Sequence, residues 1–370
     1  MDTPDLQPFA KQPLGGIDRR AMVQRLSSEG PKVAAGDLER ARAALRPVGV
    51  ALPDDHVVLL LGGSGGILRS VAIQLLFGEG VAVHAVHYDS EKLQVGYHHA
   101  RALTAAAAEA GVGCAFYNHD ATRPEVIAQV VADLAARYRV AHLVNGIAAG
   151  ATKRFVEHGP TRVRELDVAF DPVRQTPDFS SWSNLRKIGL AEVEVATEGD
   201  IERTYRYMGR STAPWAEALA AAGLLKRGES LVAFTDYEYE PDDPVYAHGP
   251  LCRAKVLQRE SLAEIKARLG VRTARLCYPA VNTTALGAIP GGILMFAGTA
   301  QILRERGQYA GLPSLARDTA PVFALDHPGG DLRLDLAFQE VLPEFHRRKA
   351  LLTPHNLREN FPLVFEHEGL

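Results

Sequence analysis

The stretch "LLLGGSGGILRS", Leu59–Ser70, decides how this chain is read. Its leucines close a buried-strand run that begins at Val57. A glycine cluster follows, and Ile67 to Phe77 then has helical apolar spacing. Strand, tight turn and helix in that order aim backbone N–H groups and a helix N-terminus at one spot, which suits a pyrophosphate. Gly62, Gly63, Ser64, Gly65, Gly66 and Ile67 make the turn. Ordinary strand–helix turns also use glycine, so the surroundings decide.

Outward from the turn, strands and helices alternate. Val81–His87, Gly113–Tyr117 and the run opening at His142 read as strands. Gly96–Ala110 and Pro124–Arg137 read as helices. This predicts an α/β fold: a Rossmann-type, doubly wound parallel sheet with helices on both faces. Asp89 ends the second strand, where a carboxylate accepts bonds from ribose hydroxyls and repels a 2′-phosphate, so NADH is favoured over NADPH. Asp120 ends the third strand on the adenine side. "NGIAAG", Asn145–Gly150, ends the fourth with small residues that let a flat cofactor lie on the backbone. A solvated loop acid is the competing reading of Asp89.

The alternation pauses at about 151–195, where "RVRELDVAFDPVRQTPDFSSW" and "LAEVEVA" have the two-residue period of antiparallel strands. This predicts a small inserted substrate lid. Helices follow over Thr197–Met208, Ala213–Ala222 and Pro250–Leu269, and strands over Ser230–Thr235 and Val271–Cys277. Pro250 suits a first helical turn and Gly270 the residue past its end. Residues 1–50 are polar without a strong period. They read as an extension packing on a single domain of residues 51–370.

Among 370 residues the net charge is −3, which favours neither nucleic acid nor an anionic membrane as partner. Cys114, Cys252 and Cys277 are scattered, as expected for reduced thiols, and there is no metal-binding spacing. The first residues lack the apolar core of a signal peptide. The apolar run Ala285–Gly298 is broken by Pro290 and too short to span a bilayer. A cytoplasmic protein is expected, monomeric or homodimeric, with that run in the core or lining a greasy site.

"VYAHGPLCRAK", Val245–Lys255, holds a Tyr-x8-Lys pair. With "GYHHARALTAAAAEAG", "NHDAT", "ATEGDIERTYRYMGRSTAPWAEAL", "NTTALGAIPGG" and "DLRLDLAFQEVLPEF", it resembles the trans-2-enoyl-CoA and enoyl-ACP reductases marked by that pair, which are enlarged relatives of the short-chain dehydrogenases. The likeness covers nearly all the chain after residue 50. It implies NADH-dependent reduction of the C2=C3 double bond of a 2-enoyl thioester on CoA or acyl carrier protein. By position, Tyr246 is the proton donor and Lys255 contacts the cofactor. Gly62–Ile67 form the phosphate turn, Tyr88 and Asp89 the ribose side, and Asp120 and Ala121 the adenine flank. Ile147 and Ala148 lie along the cofactor, and Val281, Asn282 and Thr283 hold its nicotinamide end. A nearby ammonium would favour ionised Tyr246 and make it a better acid.

Three departures stand out. Leu68 replaces a further glycine of the turn and is expected to crowd the cofactor. Pro250-Leu251-Cys252 replaces Thr-Ile-Gly. Asp236 stands where the family has a second tyrosine, ten positions before the first; Tyr237 or Tyr239 would substitute only with a shifted loop. An ionised Asp236 at the substrate would repel the developing enolate, so poor turnover and a gain for Asp236→Tyr are expected. The acids around it, Glu238, Glu240, Asp242 and Asp243, are unfavourable for CoA if they face the pocket. A reductase of another unsaturated or carbonyl substrate, or a non-catalytic binding protein, are the other readings.

Overall fold

The computed structural model describes residues 6–9, 16–148, 154–238, 240 and 243–357. After a short strand β1 (Pro8–Phe9) and helix α1 (Arg19–Ala44), the chain runs β2 (His56–Leu61), α2 (Gly66–Ile73), β3 (Val83–His87), α3 (Val95–Glu109), β4 (Cys114–Asn118), α4 (Pro124–Ala135) and β5 (Val140–Asn145). An insert of β6 (Arg154–Val156), β7 (Thr161–Val168) and β8 (Leu185–Val195) comes next. Then follow α5 (Glu198–Thr204), α6 (Thr212–Ala221), β9 (Leu231–Asp236), α7 (Pro250–Leu269), β10 (Arg272–Cys277), α8 (Gly292–Glu305), α9 (Leu312–Thr319), β11 (Gly330–Arg333) and α10 (Leu336–Leu351).

The main sheet has seven strands in the order β11-β10-β9-β5-β2-β3-β4, and all neighbours are parallel. Every residue of β2, β3 and β5 is buried, which explains why they are mostly apolar on both faces, with His56, His84, His87, His142 and Asn145 as buried polar exceptions. The chain leaves β2 in one direction through β3 and β4, then returns to its other side at β5. The β2/β5 boundary is therefore the switch point where such sheets bind ligands. Six of the seven strands are those the sequence pattern predicts. The seventh, β11, is a charged four-residue edge strand, preceded by Gly329 at φ +80° and opened by Gly330 at φ +99°.

The larger surprise is α1, 26 residues long in a segment without a clear period. Its buried face includes Gly30 and Asp37 beside Met22, Leu26, Ala34, Leu38 and Ala41, so the apolar stripe is interrupted, and Pro31 lies inside the helix. Gly30 is required for contact with α3, because a Cβ there would meet His98 Cδ2 at 2.6 Å. Asp37 is buried and pairs with Arg174 of the insert at 2.9 Å, while His99 lies 3.5 Å away. One α1 carboxylate thus ties together α1, α3 and the insert.

In the insert, β7 and β8 are antiparallel, and β1 and β6 run parallel to β8. Leu166, Val168 and Ile188 pack with Ile293, Phe296 and Leu303 of α8. The apolar run containing α8 is therefore core against the insert. On another side, Phe155, Val156 and Val193 pack with Leu251, Ala254 and the Tyr246 ring. Gly249 makes this approach possible, since a Cβ there would lie 1.9 Å from the Phe155 carbonyl oxygen. Gly249→Ala is expected to push β6 from the start of α7 and cost about 1–3 kcal/mol of stability. A urea midpoint equal to that of the unchanged protein would contradict this packing.

Candidate active site

The turns after β2 and β5 meet at the switch point. Gly62 has φ +92°, and a Cβ there would sit 3.2 Å from the Gly146 carbonyl group. Gly66, φ +54°, opens α2 against the Thr283 methyl, 3.2 Å from where its own Cβ would be. Leu68 does not crowd this space. It is 2 % exposed and fills the room that Gly146 leaves, its Cδ1 lying 2.5 Å from the Cβ that Gly146 lacks. The Ile147 N–H donates to Asn145 Oδ1 at 3.0 Å, and Asn145 Nδ2 donates to Ser211 and Thr212 at 2.8 and 2.9 Å. Ala148 follows at the end of this described segment.

Beyond the end of β3, a Cβ on Gly96 would lie 2.5 Å from Asp89 Oδ2 and 3.0 Å from Ser64 Oγ. An acid and a hydroxyl thus converge over the start of α3, where only glycine leaves room. His87 Nδ1 is 2.8 Å from Asp89 Oδ2, and Asn118 exchanges two hydrogen bonds with the Asp89 backbone. Tyr88 stands out in solvent, 72 % exposed. Asp120 accepts from Thr122 and, at 2.9 Å, from the Tyr207 hydroxyl. Burial opposes its charge, yet these bonds hold its pKa below the usual carboxylate value. Ala121 is buried and its carbonyl accepts from Trp215 Nε1 at 2.8 Å. The glycine cradle and the convergent Ser64 and Asp89 fit a dinucleotide.

At the C-terminal end of β9 the catalytic candidates gather. Lys255, on the first turns of α7, is 3 % exposed. Its Nζ donates to the Thr235 carbonyl at 2.5 Å and to Gln258 Oε1 at 3.0 Å. It also lies 6.0 Å from the Tyr237 ring centroid. Burial pulls its pKa down to about 8, with Asp236 opposing and Arg259 assisting. The Tyr246 and Tyr237 rings meet edge to face with centroids 5.3 Å apart. Burial raises the Tyr246 pKa well above the usual phenol value, and Asp243 and Glu165 add to the rise. The expectation that the lysine would favour ionised tyrosine is therefore corrected: desolvation dominates, and the phenol is held protonated.

Asp236 is corrected as well. Its side chain is fully buried, and Oδ2 accepts from Arg259 Nε at 2.8 Å and Arg275 Nε at 3.0 Å. Oδ1 accepts from the Tyr237 N–H at 2.9 Å. The carboxylate is a structural anchor between two guanidiniums, and the next residue, Tyr237, is the one that reaches Tyr246. The surrounding acids are likewise engaged: Glu238 with Arg275, Glu240 with His346, and Asp243 with the Val245 and Tyr246 N–H groups. Tyr239 and Asp242 lie outside the described residues. Pro250 opens α7, and Leu251 is buried beside Tyr246.

Sequence reasoning passed over Glu165. This fully buried carboxylate accepts from the Gly291 and Leu294 N–H groups at 2.8 and 3.1 Å, capping α8 from β7. An acid in a strand of alternating period gives no local signal of a helix far along the chain.

A parallel sheet with a glycine-lined crevice at its switch point, and Lys255, Tyr237 and Tyr246 at the end of β9, defines a Rossmann-type α/β protein. The family model "trans-2-enoyl-CoA reductase catalytic region" matches residues 92–313, and the chain belongs to that family. It is 30% identical over 288 residues to an enoyl-acyl-carrier-protein reductase (NADH) of Xanthomonas campestris pv. campestris, covering 73% of this chain and 69% of that one. An Aeromonas salmonicida enzyme of the same description is 30% identical over 264 residues, covering 69% and 66%. In fold, the chain is similar to the trans-2-enoyl-CoA reductase of Clostridium acetobutulicum in complex with NADH, with a TM-score of 0.72, 18% identity and 90% and 87% of the chains covered. The Treponema denticola trans-2-enoyl-CoA reductase in complex with NAD superposes with a TM-score of 0.67 at 18% identity, covering 98% and 94%.

Asp236→Asn would remove the buried carboxylate that Arg259 and Arg275 share, at a cost of about 3 kcal/mol. Asp236→Tyr should also destabilise, and it should not raise turnover. Chemical denaturation and steady-state rates of the three proteins check this; a stable, faster Asp236→Tyr would restore a substrate-facing Asp236.

Proposed function

We propose that this chain is an NADH-dependent reductase of the C2=C3 double bond of 2-enoyl thioesters carried on CoA or acyl carrier protein. The observation that carries the reading is the buried Lys255 ammonium beside the Tyr237–Tyr246 pair, at the mouth of a glycine-lined dinucleotide crevice. Gly62–Ile67 and the α2 N-terminus would hold the pyrophosphate. Ser64, Tyr88 and Asp89 take the adenosine ribose, and Asp120 with Ala121 flank the adenine. Ile147 and Ala148 lie along the dinucleotide, and Val281–Thr283 hold the nicotinamide end. When bound, NADH supplies the hydride that adds to C3.

This chain's residues manage the charge that follows. Negative charge builds on the thioester oxygen, and a phenol aimed at it stabilises the enolate and supplies the proton. Tyr246 suits that role because burial keeps its proton in place until the substrate becomes basic. Tyr237, edge-on to Tyr246, is the second hydroxyl available to the same oxygen. Lys255 remains mostly cationic at neutral pH, and its pKa of about 8 reflects desolvation without a carboxylate of its own. Its charge favours a ribose hydroxyl as acceptor and attracts the developing anion. Asp236 is kept from neutralising it by Arg259 and Arg275.

Tyr246→Phe should lower reductase turnover roughly 100-fold while NADH affinity barely moves. Tyr237→Phe should cost less, on the order of tenfold. Rates within a few-fold of the parent for Tyr246→Phe would remove it as the acid.

A second test uses pH. The Lys255 pKa is depressed to about 8, so the cation is complete below that pH and is lost as pH rises through it. NADH dissociation constants should be flat below about pH 8 and rise above it, and Lys255→Met should abolish the rise. The same inflection in Lys255→Met would assign the titration to another group.

A further inference from the structure

The buried face of α7 follows the helical period through Leu251, Ala254, Leu262 and Ile265, and Gln258 stands in that stripe where a leucine would pack. Gln258 is 1 % exposed. It lies one turn after Lys255, so the two side chains share a face. Lys255 Nζ donates to Gln258 Oε1 at 3.0 Å. An ammonium only donates, so this bond fixes which way the amide points. The opposite end, Nε2, is buried and has no acceptor among the described residues. An amide that leaves its N–H groups unpaired in the interior is a poor choice for packing. What it supplies in return is the bond to Lys255.

The groups around the ammonium give that bond its weight. From β9 come the Thr235 carbonyl at 2.5 Å and the Phe234 ring, its centroid 5.6 Å away. Asp236 also ends β9, but Arg259 of α7 and Arg275 of β10 already hold it. The Tyr237 ring centroid lies 6.0 Å from Nζ. Burial is the main cause that lowers the Lys255 pKa; Asp236 and Cys277 of β10 oppose it, and Arg259 adds to it. Two oxygens accept from Nζ among the described residues, and Gln258 Oε1 is the one on a side chain.

Resting on the reading that Lys255 serves the crevice, we infer that Gln258 is a positioning residue: its neutral amide oxygen holds the buried ammonium in place and charged without cancelling the charge. A glutamate of the same shape would bind the cation as an ion pair and keep it for the protein. A methionine of similar length would leave the ammonium with the Thr235 carbonyl alone and favour the neutral amine. Glutamine lies between these two.

The test titrates Lys255 in the protein without cofactor, by NMR of isotope-labelled lysine side chains, the Lys255 signal being the one lost in Lys255→Met. The parent should titrate near pH 8. Gln258→Glu should raise the midpoint by about one pH unit or more, and Gln258→Met should lower it by about one. Gln258→Met also removes the unpaired Nε2, so it should unfold at nearly the parent's urea concentration. NADH dissociation constants, measured over the same pH range, should begin to rise at each protein's own midpoint. Coincident midpoints in the three folded proteins would overturn the inference, even if both variants bind NADH poorly, and would make Gln258 a packing residue. Midpoints that shift as stated while NADH affinity ignores them would uphold Gln258's hold on the ammonium and end the reading in which Lys255 meets NADH.

Discussion

A buried ammonium without a carboxylate of its own is the constraint around which this site is arranged. Lys255 is held by one backbone carbonyl and one amide oxygen, both neutral acceptors. That lowers its pKa without removing its charge at neutral pH. A direct ion pair would have bound the cation to the protein. With neutral acceptors, its charge remains available to whatever enters the crevice. The nearest acid, Asp236, is taken up by two arginines from α7 and β10. At that position the side chain that turns toward Tyr246 belongs to the next residue, Tyr237.

The scaffold serves this arrangement. β9 supplies both the Thr235 carbonyl and the Asp236 anchor, and α7 carries Lys255 and Arg259 one turn apart on the same side. Gly249 lets β6 close on the loop that bears Tyr246. Behind it, Glu165 binds the N-terminal N–H groups of α8 from β7, which locks the insert to the apolar core. Among the described acids of the Tyr237–Tyr246 loop, Glu238 pairs with Arg275, Glu240 with His346, and Asp243 with backbone N–H groups of the loop itself.

Much of this was legible in the sequence. Buried strands such as Val57–Leu61 announce themselves by continuous apolar residues, and Gly62–Gly66 by their turn chemistry. The parallel order follows from strand–helix alternation. α1 was not legible, because its buried face uses Gly30 against a histidine ring and Asp37 in an ion pair, neither of which reads as core. β11 is too short and charged to stand out. Leu68 looked obstructive only because its contact, Gly146, is 78 residues away along the chain and cannot be foreseen by spacing. Asp236 misled for the same reason: its partners Arg259 and Arg275 come from two other elements.

The most direct test of the account is the position of the two hydrogens added to an enoyl thioester. Crotonyl-CoA turned over with NADH in deuterated water should yield butyryl-CoA with unlabelled hydrogen added at C3 and one deuterium at C2, read by mass spectrometry and NMR of the product. Reduction at the thioester carbonyl instead, to an aldehyde or alcohol with the double bond intact, or no turnover of any 2-enoyl thioester, would contradict it.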